Sequence, residues 1–416
     1  MPEQYRLGTT DLTYLGLGQV ISYDPVKLLR DGIYQLVPNP YGDVVVKAYD
    51  ISEKLLTGYI QANIDAEMGA SQLTGNFGVQ AIRTQQNSNG ASAVFLGTNP
   101  NGSPNIGAEF RRSRVEYTDI LPSANLSLRM PGDWVLRLGA AREIIRPRLD
   151  DMRASVNFSY SFAVLPGGQQ VAFVTGSSGN PDLRPWRANA IDLTVEKYFG
   201  NKGYVALQLF WKDVKTYIYN LDQEIPLTEL AVASPGPQYT IDPIALLNVP
   251  INGKGGSLYG AELAGTIPFG NFVSALEGFG ITGSAAYSKS KIRPNPGAPA
   301  TSIPGYSKWV VNGTVYFERS GFSARSSLRY RSSFVGEVSG FGAARTRRNA
   351  AAEAIVDAQI GYEFQPGSAL EGLSVFLQGQ NLTDEPFVTF EPGRRLHVID
   401  FQRYGRRYLL GASFKF

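Results

Sequence analysis

The sequence predicts an all-β fold, an antiparallel transmembrane β-barrel architecture with about thirteen strands. Three observations point there. Apolar and polar residues alternate at period two from about residue 52 to the end, short turns alternate with long polar connections, and aromatic residues crowd the short turns. Helix-period segments are nearly absent. The segment 24–30 (DPVKLLR) is the one short candidate, and it precedes the first strand.

Composition agrees with this reading. A chain of 416 residues exceeds one ordinary globular core, so either several domains or one large β-architecture must account for it. Charged residues are 18%, below the usual quarter, while glycine (45 residues) and aromatics (12%) run high. A net charge of +3 is too small to point to nucleic acid, and no basic stripe is interleaved with exposed aromatics. The absence of cysteine removes disulfides, thiolate metal sites and cysteine nucleophiles together. The single histidine, His397, leaves at most one position for a His-dependent triad or metal site. No run of 18 apolar residues occurs, which excludes a transmembrane helix. A membrane β-barrel escapes that test, because its strands carry only every second residue into lipid. The start, MPEQYRLGTT, shows no signal peptide.

The strands follow in order. Alternation predicts strands at 53–66, 72–85, 113–129, 134–146, 187–199, 203–219, 256–267, 280–292 and 306–318. Strand 322–331 sets Phe322, Ala324, Leu328 and Tyr330 against Ser323, Arg325, Ser327, Arg329 and Arg331. Strand 354–364 sets Val356, Ala358, Ile360, Tyr362 and Phe364 against Asp357, Gln359, Gly361 and Glu363. Strand 372–384 and a last strand, with Tyr408, Leu410, Ala412, Phe414 and Phe416 on one face, complete the set.

A soluble sandwich shows the same alternation, so the connections decide. Residues 67–71, 130–133, 200–203, 319–321 and 365–371 are short turns, and 268–279 is somewhat longer. Between them fall 86–108, 148–186, 220–255, 293–305, 332–353 and 385–402, long and polar, expected to be structureless loops. Compact soluble domains rarely carry six of these, whereas an outer-membrane barrel has short turns on one rim and long loops on the other. Trp134, Tyr198, Phe199, Tyr204, Phe269, Phe272, Phe317, Phe322, Tyr362 and Phe364 lie by the short turns and read as an interfacial girdle. By parity the last strand runs toward the short-turn rim, which puts Phe416 in the periplasm and the long loops outside.

Two formal motifs carry little. Gly278–Gly283 matches a dinucleotide fingerprint but leads into an alternating strand, with no helix to meet a pyrophosphate. His397 lies in the last long loop beside Arg394 and Arg395, with no nucleophile motif near it, and reads as a solvated histidine.

Eight segments, in order, resemble TonB-dependent receptors, particularly a subgroup common in oligotrophic and plant-associated proteobacteria. They are GNFGVQAIRTQQ (75–86), VEYTDILPSANLSL (115–128), REIIRPRLDDM (142–152), NPDLRPWRANAIDLTVEKYF (180–199), LQLFWKDVKTYI (207–218), SLYGAELAG (257–265), LQGQNLTDEPFVTF (377–390) and YGRRYLLGASFKF (404–416). Gln80 and Ala81 stand where the family has Arg-Tyr, and Trp186 where an acidic residue is usual. The resemblance covers roughly 51–416. It implies 51–416 as the C-terminal part of a 22-stranded barrel, with 1–50 an extracellular loop or a remnant of a preceding strand. It also implies a plug domain and TonB-binding box that this sequence does not show, so Met1 reads as an internal start, a split gene or the start of a fragment. An open thirteen-stranded sheet would leave two unpaired edges in hydrocarbon, so the chain alone is expected neither to span a membrane stably nor to transport. Closure into a smaller barrel of about fourteen strands, using 1–50, is the alternative.

The family reading assigns roles. Asn180, Pro181, Asp182, Leu183 and Pro185 are a structural motif, a turn that ends a long loop, and Asn381, Leu382, Thr383 and Asp384, at the end of strand 372–384, are a second structural motif. Tyr408, Phe414 and Phe416 face lipid and are implied as the signal read by the barrel-assembly machinery. Arg325, Arg329, Arg331, Arg345, Arg347, Arg348, Arg394 and Arg395 have two readings: an electropositive lumen and rim for an anionic ligand, or pairing with lumenal carboxylates and lipopolysaccharide phosphates. The second weighs more. The implied partners are the TonB–ExbB–ExbD system, the barrel-assembly machinery and outer-membrane lipid, with no nucleic acid and no resident cofactor or metal. The implied activity is active uptake of a scarce siderophore, vitamin or oligosaccharide. An outer-membrane barrel lipase or protease and a secreted glycan-binding β-protein are the competing classes.

Overall fold

A computed structural model describes residues 2–36, 42–98, 104–200, 202–230, 238–293, 300–339 and 345–415. The chain opens with a small antiparallel pair, β1 (Arg6–Asp11) and β2 (Gln19–Tyr23), followed by helix α1 (Pro25–Arg30). The expected helix at 24–30 forms because Asp24 caps it, accepting from the Lys27 N–H at 2.9 Å, and Pro25 starts it. A one-turn helix, α2 (Gly42–Val45), precedes the sheet.

The main sheet is assembled from β3 (Asp50–Met68), β4 (Ser71–Thr98), β5 (Pro104–Met130), β6 (Trp134–Ile145), β9 (Trp186–Phe199), β10 (Gly203–Pro226), β11 (Thr240–Pro268), β12 (Phe279–Ile292), β13 (Trp309–Arg319), β14 (Phe322–Arg331), β17 (Glu353–Glu363), β18 (Leu373–Gln380) and β21 (Arg407–Phe414). They pair antiparallel in that order, and the sheet is open, with β3 and β21 at its two edges. All thirteen expected segments are strands of this path. The turns follow residue chemistry: β13 and β14 join through Ser320 and Gly321, both at positive φ, the geometry that suits a two-residue hairpin.

Register keeps one face apolar across the sheet. Leu136, Val195, Leu207, Leu263, Ala285, Val311 and Tyr330 are successive cross-strand neighbours. This face is open: Ile60 is 76% exposed, Leu263 50% and Leu410 83%. The other face is a polar lattice. Asn125 donates to Asn76 at 3.1 Å, Arg137 to Glu196 at 2.8 Å, Thr266 meets Thr282 at 2.8 Å, and Arg325 donates to Gln359 at 2.9 Å. A sandwich would bury the apolar face against a second layer. Here it lies outward, matched to acyl chains, with the wet face behind it.

Aromatic residues bracket the apolar band. At the short-turn rim Phe279, Phe317 and Phe322 form a chain of ring contacts at 4.4 and 6.0 Å, Phe199 meets Phe272 at 5.5 Å, and Tyr362 meets Phe364 at 5.1 Å. A second row, which alternation did not reveal, runs through Trp211, Tyr259, Tyr287, Trp309 and Tyr330, with Tyr287 and Trp309 at 4.8 Å. Phe279 to Tyr287, Trp309 to Phe317 and Phe322 to Tyr330 each span eight residues. That is about 27 Å of strand, or about 21 Å along the normal at a tilt near 40°, close to the height of a lipid-facing band. Tyr198 and Tyr204 correct the expected girdle: they share the polar face, 6.2 Å apart, with the Tyr198 hydroxyl donating to Glu196 at 2.9 Å.

Five of the six long connections hold strand segments among the described residues, which corrects the sequence reading. β4–β5 and β10–β11 continue as paired ribbons well beyond the upper aromatic row. The 148–186 connection holds β7 (Val156–Val164) and β8 (Gln170–Ser178), and β8 pairs parallel to β11. The 332–353 and 385–402 connections hold β15 (Phe334–Ser339), β16 (Arg345–Ala350), β19 (Phe387–Glu391) and β20 (Arg394–Gln402), joined into one four-stranded sheet. Apolar cores form among these parts, around Val156, Val174, Ala245 and Leu247, and around Met152, Leu183 and Ile218.

Candidate functional site

The long-loop end carries the candidate site, and its centre is the segment Asn180–Arg187. Asn180 folds it into a turn, its side-chain oxygen accepting from the Asp182 N–H at 3.0 Å while its amide donates to Pro250 O at 3.0 Å. Leu183 is fully buried with Met152 and Ile218. Gln86 donates to Pro181 O at 2.6 Å, Ser113 to Asp182 at 3.4 Å, and Thr216 to Pro185 O at 3.1 Å. Asn252 brackets Arg184, accepting from its N–H and donating to its carbonyl, both at 2.8 Å. One short segment thus ties β4, β5, β10 and β11 together.

Beneath it lies a buried polar group that sequence reasoning did not single out. Glu53, Gln86, Tyr117 and Asp119 stand on neighbouring rows of the polar face of β3–β5. Arg187 donates to Asp119 at 2.6 Å, with Asp119 only 3% exposed. Arg146 approaches Glu53 at 4.0 Å, and the Arg184 guanidinium lies 5.1 Å from the Tyr117 ring centre. Glu53 Oε1, Gln86 Oε1 and Asp119 Oδ2 are buried without hydrogen-bond partners among the described residues. Parity gave little signal here, because the flanking positions Lys54, Gln85, Asn87, Glu116 and Thr118 are polar as well.

Asn381–Asp384 form a turn, not the end of a strand as expected, because Asn381 and Asp384 adopt positive φ. Asparagine and aspartate tolerate that conformation better than most residues. The Asn381 N–H donates to Asp357 at 2.8 Å, its side chain accepts from Glu385 N–H at 2.9 Å, and Leu382 N–H donates to Val356 O at 2.7 Å. Thr383 donates to Ala354 O at 2.9 Å, Arg406 donates to Leu382 O at 2.9 Å, and Arg403 pairs with Asp384. The turn clips β17 and β18 to the start of β21. Tyr408 and Phe414 lie on the exposed apolar face, 66% and 52% exposed; Phe416 lies outside the described residues.

The arginines fall into separate groups. Arg325, Arg329 and Arg331 share the polar face of β14 but stand at different heights. Arg325 binds Gln359 near the short turns, Arg329 borders a cleft with Asp357, Gln402 and Tyr404, and Arg331 donates to Ser307 and to Gly305 O, both at 2.7 Å. Arg345, Arg347 and Arg348 on β16 join Arg394 and Arg395 on β20 in the four-stranded sheet. Arg348 pairs with Asp400 at 2.6 Å, and Asp400 also accepts from Thr389 at 2.7 Å. Glu391 sits 3.8 Å from Arg394 and 3.3 Å from exposed His397, which lies on a strand rather than in a loop. Among the described residues no group of three histidines or carboxylates has metal-site geometry. Gly278 sits in a turn that feeds β12, with no helix after it.

The family model for the TonB dependent receptor-like β-barrel matches residues 3–382. No curated protein matches the chain. Among solved structures, the chain is similar to the ferric-catecholate import receptor Fiu of E. coli K12, at 15% identity and TM-score 0.54 over 88% of this chain and 45% of that one. It is similar to the ferric enterobactin receptor PfeA of Pseudomonas aeruginosa in complex with BCV-L6, at 14% identity and TM-score 0.50 over 87% and 55%. The siderophore receptor PirA of Acinetobacter baumannii gives 14% identity and TM-score 0.48 over 88% and 55%. Identities this low speak to the fold alone. The chain spans about half the length of these structures.

Proposed function

This chain belongs to the TonB-dependent receptor β-barrel family, and on that premise we propose that it forms barrel wall in an outer-membrane receptor for active uptake of a scarce nutrient. The family match over residues 3–382 carries this reading, and the outward apolar band with its two aromatic rows supports it. The cargo belongs to the class too large or too rare for porins: a siderophore, a vitamin or an oligosaccharide. Residues 51–416 supply the barrel wall, and 1–50 lie outside it. The long connections face the exterior, and the short turns and C-terminus face the periplasm. Energy comes from the TonB–ExbB–ExbD system, and Tyr408, Phe414 and Phe416 present the signal for the barrel-assembly machinery. No bond is made or broken in such a cycle, so the protein is a receptor and not an enzyme.

Anionic cargo would meet Arg347, Arg394 and Arg395 on the four-stranded sheet first, with Arg345 on the same strand as Arg347, and then Arg329 at the cleft below. Arg325, Arg331 and Arg348 are held by Gln359, by Ser307 and by Asp400, which favours positioning roles for them. The test is uptake of radiolabelled ferric catecholate, cobalamin and maltooligosaccharide in cells with and without the gene, in backgrounds with and without TonB. The reading requires one cargo to be lost in both deletions. Undiminished uptake of all three, or uptake that persists without TonB, contradicts it.

A further inference from the structure

The outward face of β12 changes character just above the upper aromatic row. Tyr287 is the last aromatic, and Lys289 and Lys291 follow on the same face, both exposed. On the adjoining segment Lys308 lies over the Tyr287 ring at 5.8 Å, next to Trp309. None of these three lysines has a carboxylate partner among the described residues, unlike Lys212 with Glu143 or Lys215 with Asp213. Three uncompensated cations therefore stand at the height where acyl chains give way to head groups.

A cleft opens beside them. Beyond Tyr287, β12 is paired as a strand only to β11; its other edge faces segment 300–308, tied by the bridge between Ile292 and Thr301, by Ser288 donating to Lys308 O at 3.0 Å and Ser307 O at 2.8 Å, and by the Ile303 N–H donating to Ser290 at 2.9 Å. The cleft in this gap is lined by the three lysines, by Thr301 and Tyr306, and by Asn349 from the four-stranded sheet. Thr301 Oγ1 and Asn349 Oδ1 are buried there without hydrogen-bond partners. Cations at the mouth, unpaired polar atoms within and an aromatic shelf below match one kind of occupant.

We propose that this cleft binds the phosphorylated sugar headgroup of an outer-leaflet glycolipid. Its phosphates pair with Lys289, Lys291 and Lys308, its sugar hydroxyls meet Thr301 and Asn349, and its acyl chains lie along Tyr287 and Trp309. The inference rests on the orientation proposed above, with the long connections outside.

The test uses the full chain in detergent micelles, with binding read by native mass spectrometry. The probes are diphosphoryl lipid A, the same lipid after phosphatase treatment, and inorganic phosphate. Replacing the three lysines by serine is expected to weaken diphosphoryl lipid A binding by about a hundredfold, at about fivefold per lysine. Replacing them by arginine retains binding, Lys202→Ser at the opposite rim changes nothing, and dephosphorylated lipid A binds the wild type as weakly as it binds the serine variant. Equal binding of diphosphoryl lipid A by wild type and serine variant overturns the proposal, as does its displacement by millimolar inorganic phosphate. Orientation is read separately. The chain has no cysteine, so labelling of a Gly167→Cys variant by an impermeant maleimide in intact cells supports an exterior long-loop rim, and no labelling overturns it.

Discussion

Arginine placed at Leu207 tests the lipid-facing band at its most sensitive depth. Leu207 is 41% exposed on the apolar face and sits between Val195 and Leu263. It lies four residues below Trp211 of the upper row and four above Gly203, which faces Phe199 of the lower one. Four residues are about 14 Å of strand, or about 10 Å along the normal on either side, which puts Leu207 at the middle of the band. A guanidinium there costs about 2–4 kcal/mol, between thirtyfold and a thousandfold in the folding equilibrium by order of magnitude. Ala206 is the internal control: one residue away, it faces the polar side opposite Glu196. Arginine at 206 costs less than about 1 kcal/mol, as solvated surface changes do. Urea titration of the full chain in detergent micelles, which cover the apolar face without requiring a closed barrel, followed by tryptophan fluorescence, measures both. A penalty at 206 as large as at 207, or none at 207, refutes the reasoning.

Three further outcomes follow from the candidate site. Arg187→Met strands the buried Asp119 carboxylate and is expected to cost about 3–5 kcal/mol, much of it regained when Asp119→Asn is added; strictly additive losses in urea titrations would deny the coupling. Leu183→Ala removes a fully buried anchor at about 2–5 kcal/mol and speeds protease cleavage within 149–185, whereas an unchanged cleavage rate would remove the anchoring role. Asn381→Ala should lower the urea midpoint more than Asn381→Gly, by about 1 kcal/mol, because only glycine accepts φ 51° freely; the reverse order would contradict the turn assignment.

What was legible in the sequence divides at the membrane surface. Between the aromatic rows one face meets lipid and the other water, so every second residue is constrained and all thirteen strands can be read. Above the upper row that contrast vanishes. β10 runs on to Pro226 and β11 starts at Thr240, but neither face there meets acyl chains, so the two-residue period fades and the segment reads as loop. Strand β7 did keep a local signal, Phe158, Tyr160 and Phe162 on alternate positions, yet its partner β8 pairs in parallel with β11, which no local pattern encodes. The arginines show the same limit. Spacing assigned Arg325, Arg329 and Arg331 to the polar face, but it is the pairing of Asn349 and Ala350 with Phe390 and Thr389 that brings β16 and β19 together. Tyr198 and Tyr204 were misread because closeness to a turn indicates depth, while strand parity decides the face.

The most direct measurement of the central claim is an accessibility scan of β13. The chain has no cysteine, so single cysteines at 311, 312, 314 and 315 carry nitroxide labels without background. With the full chain in detergent micelles, labels at Val311 and Val315 should relax with dissolved oxygen, and labels at Asn312 and Thr314 with a water-soluble nickel complex. Protection of 311 and 315 from both relaxants would mean that the apolar face is buried against protein and would contradict the account.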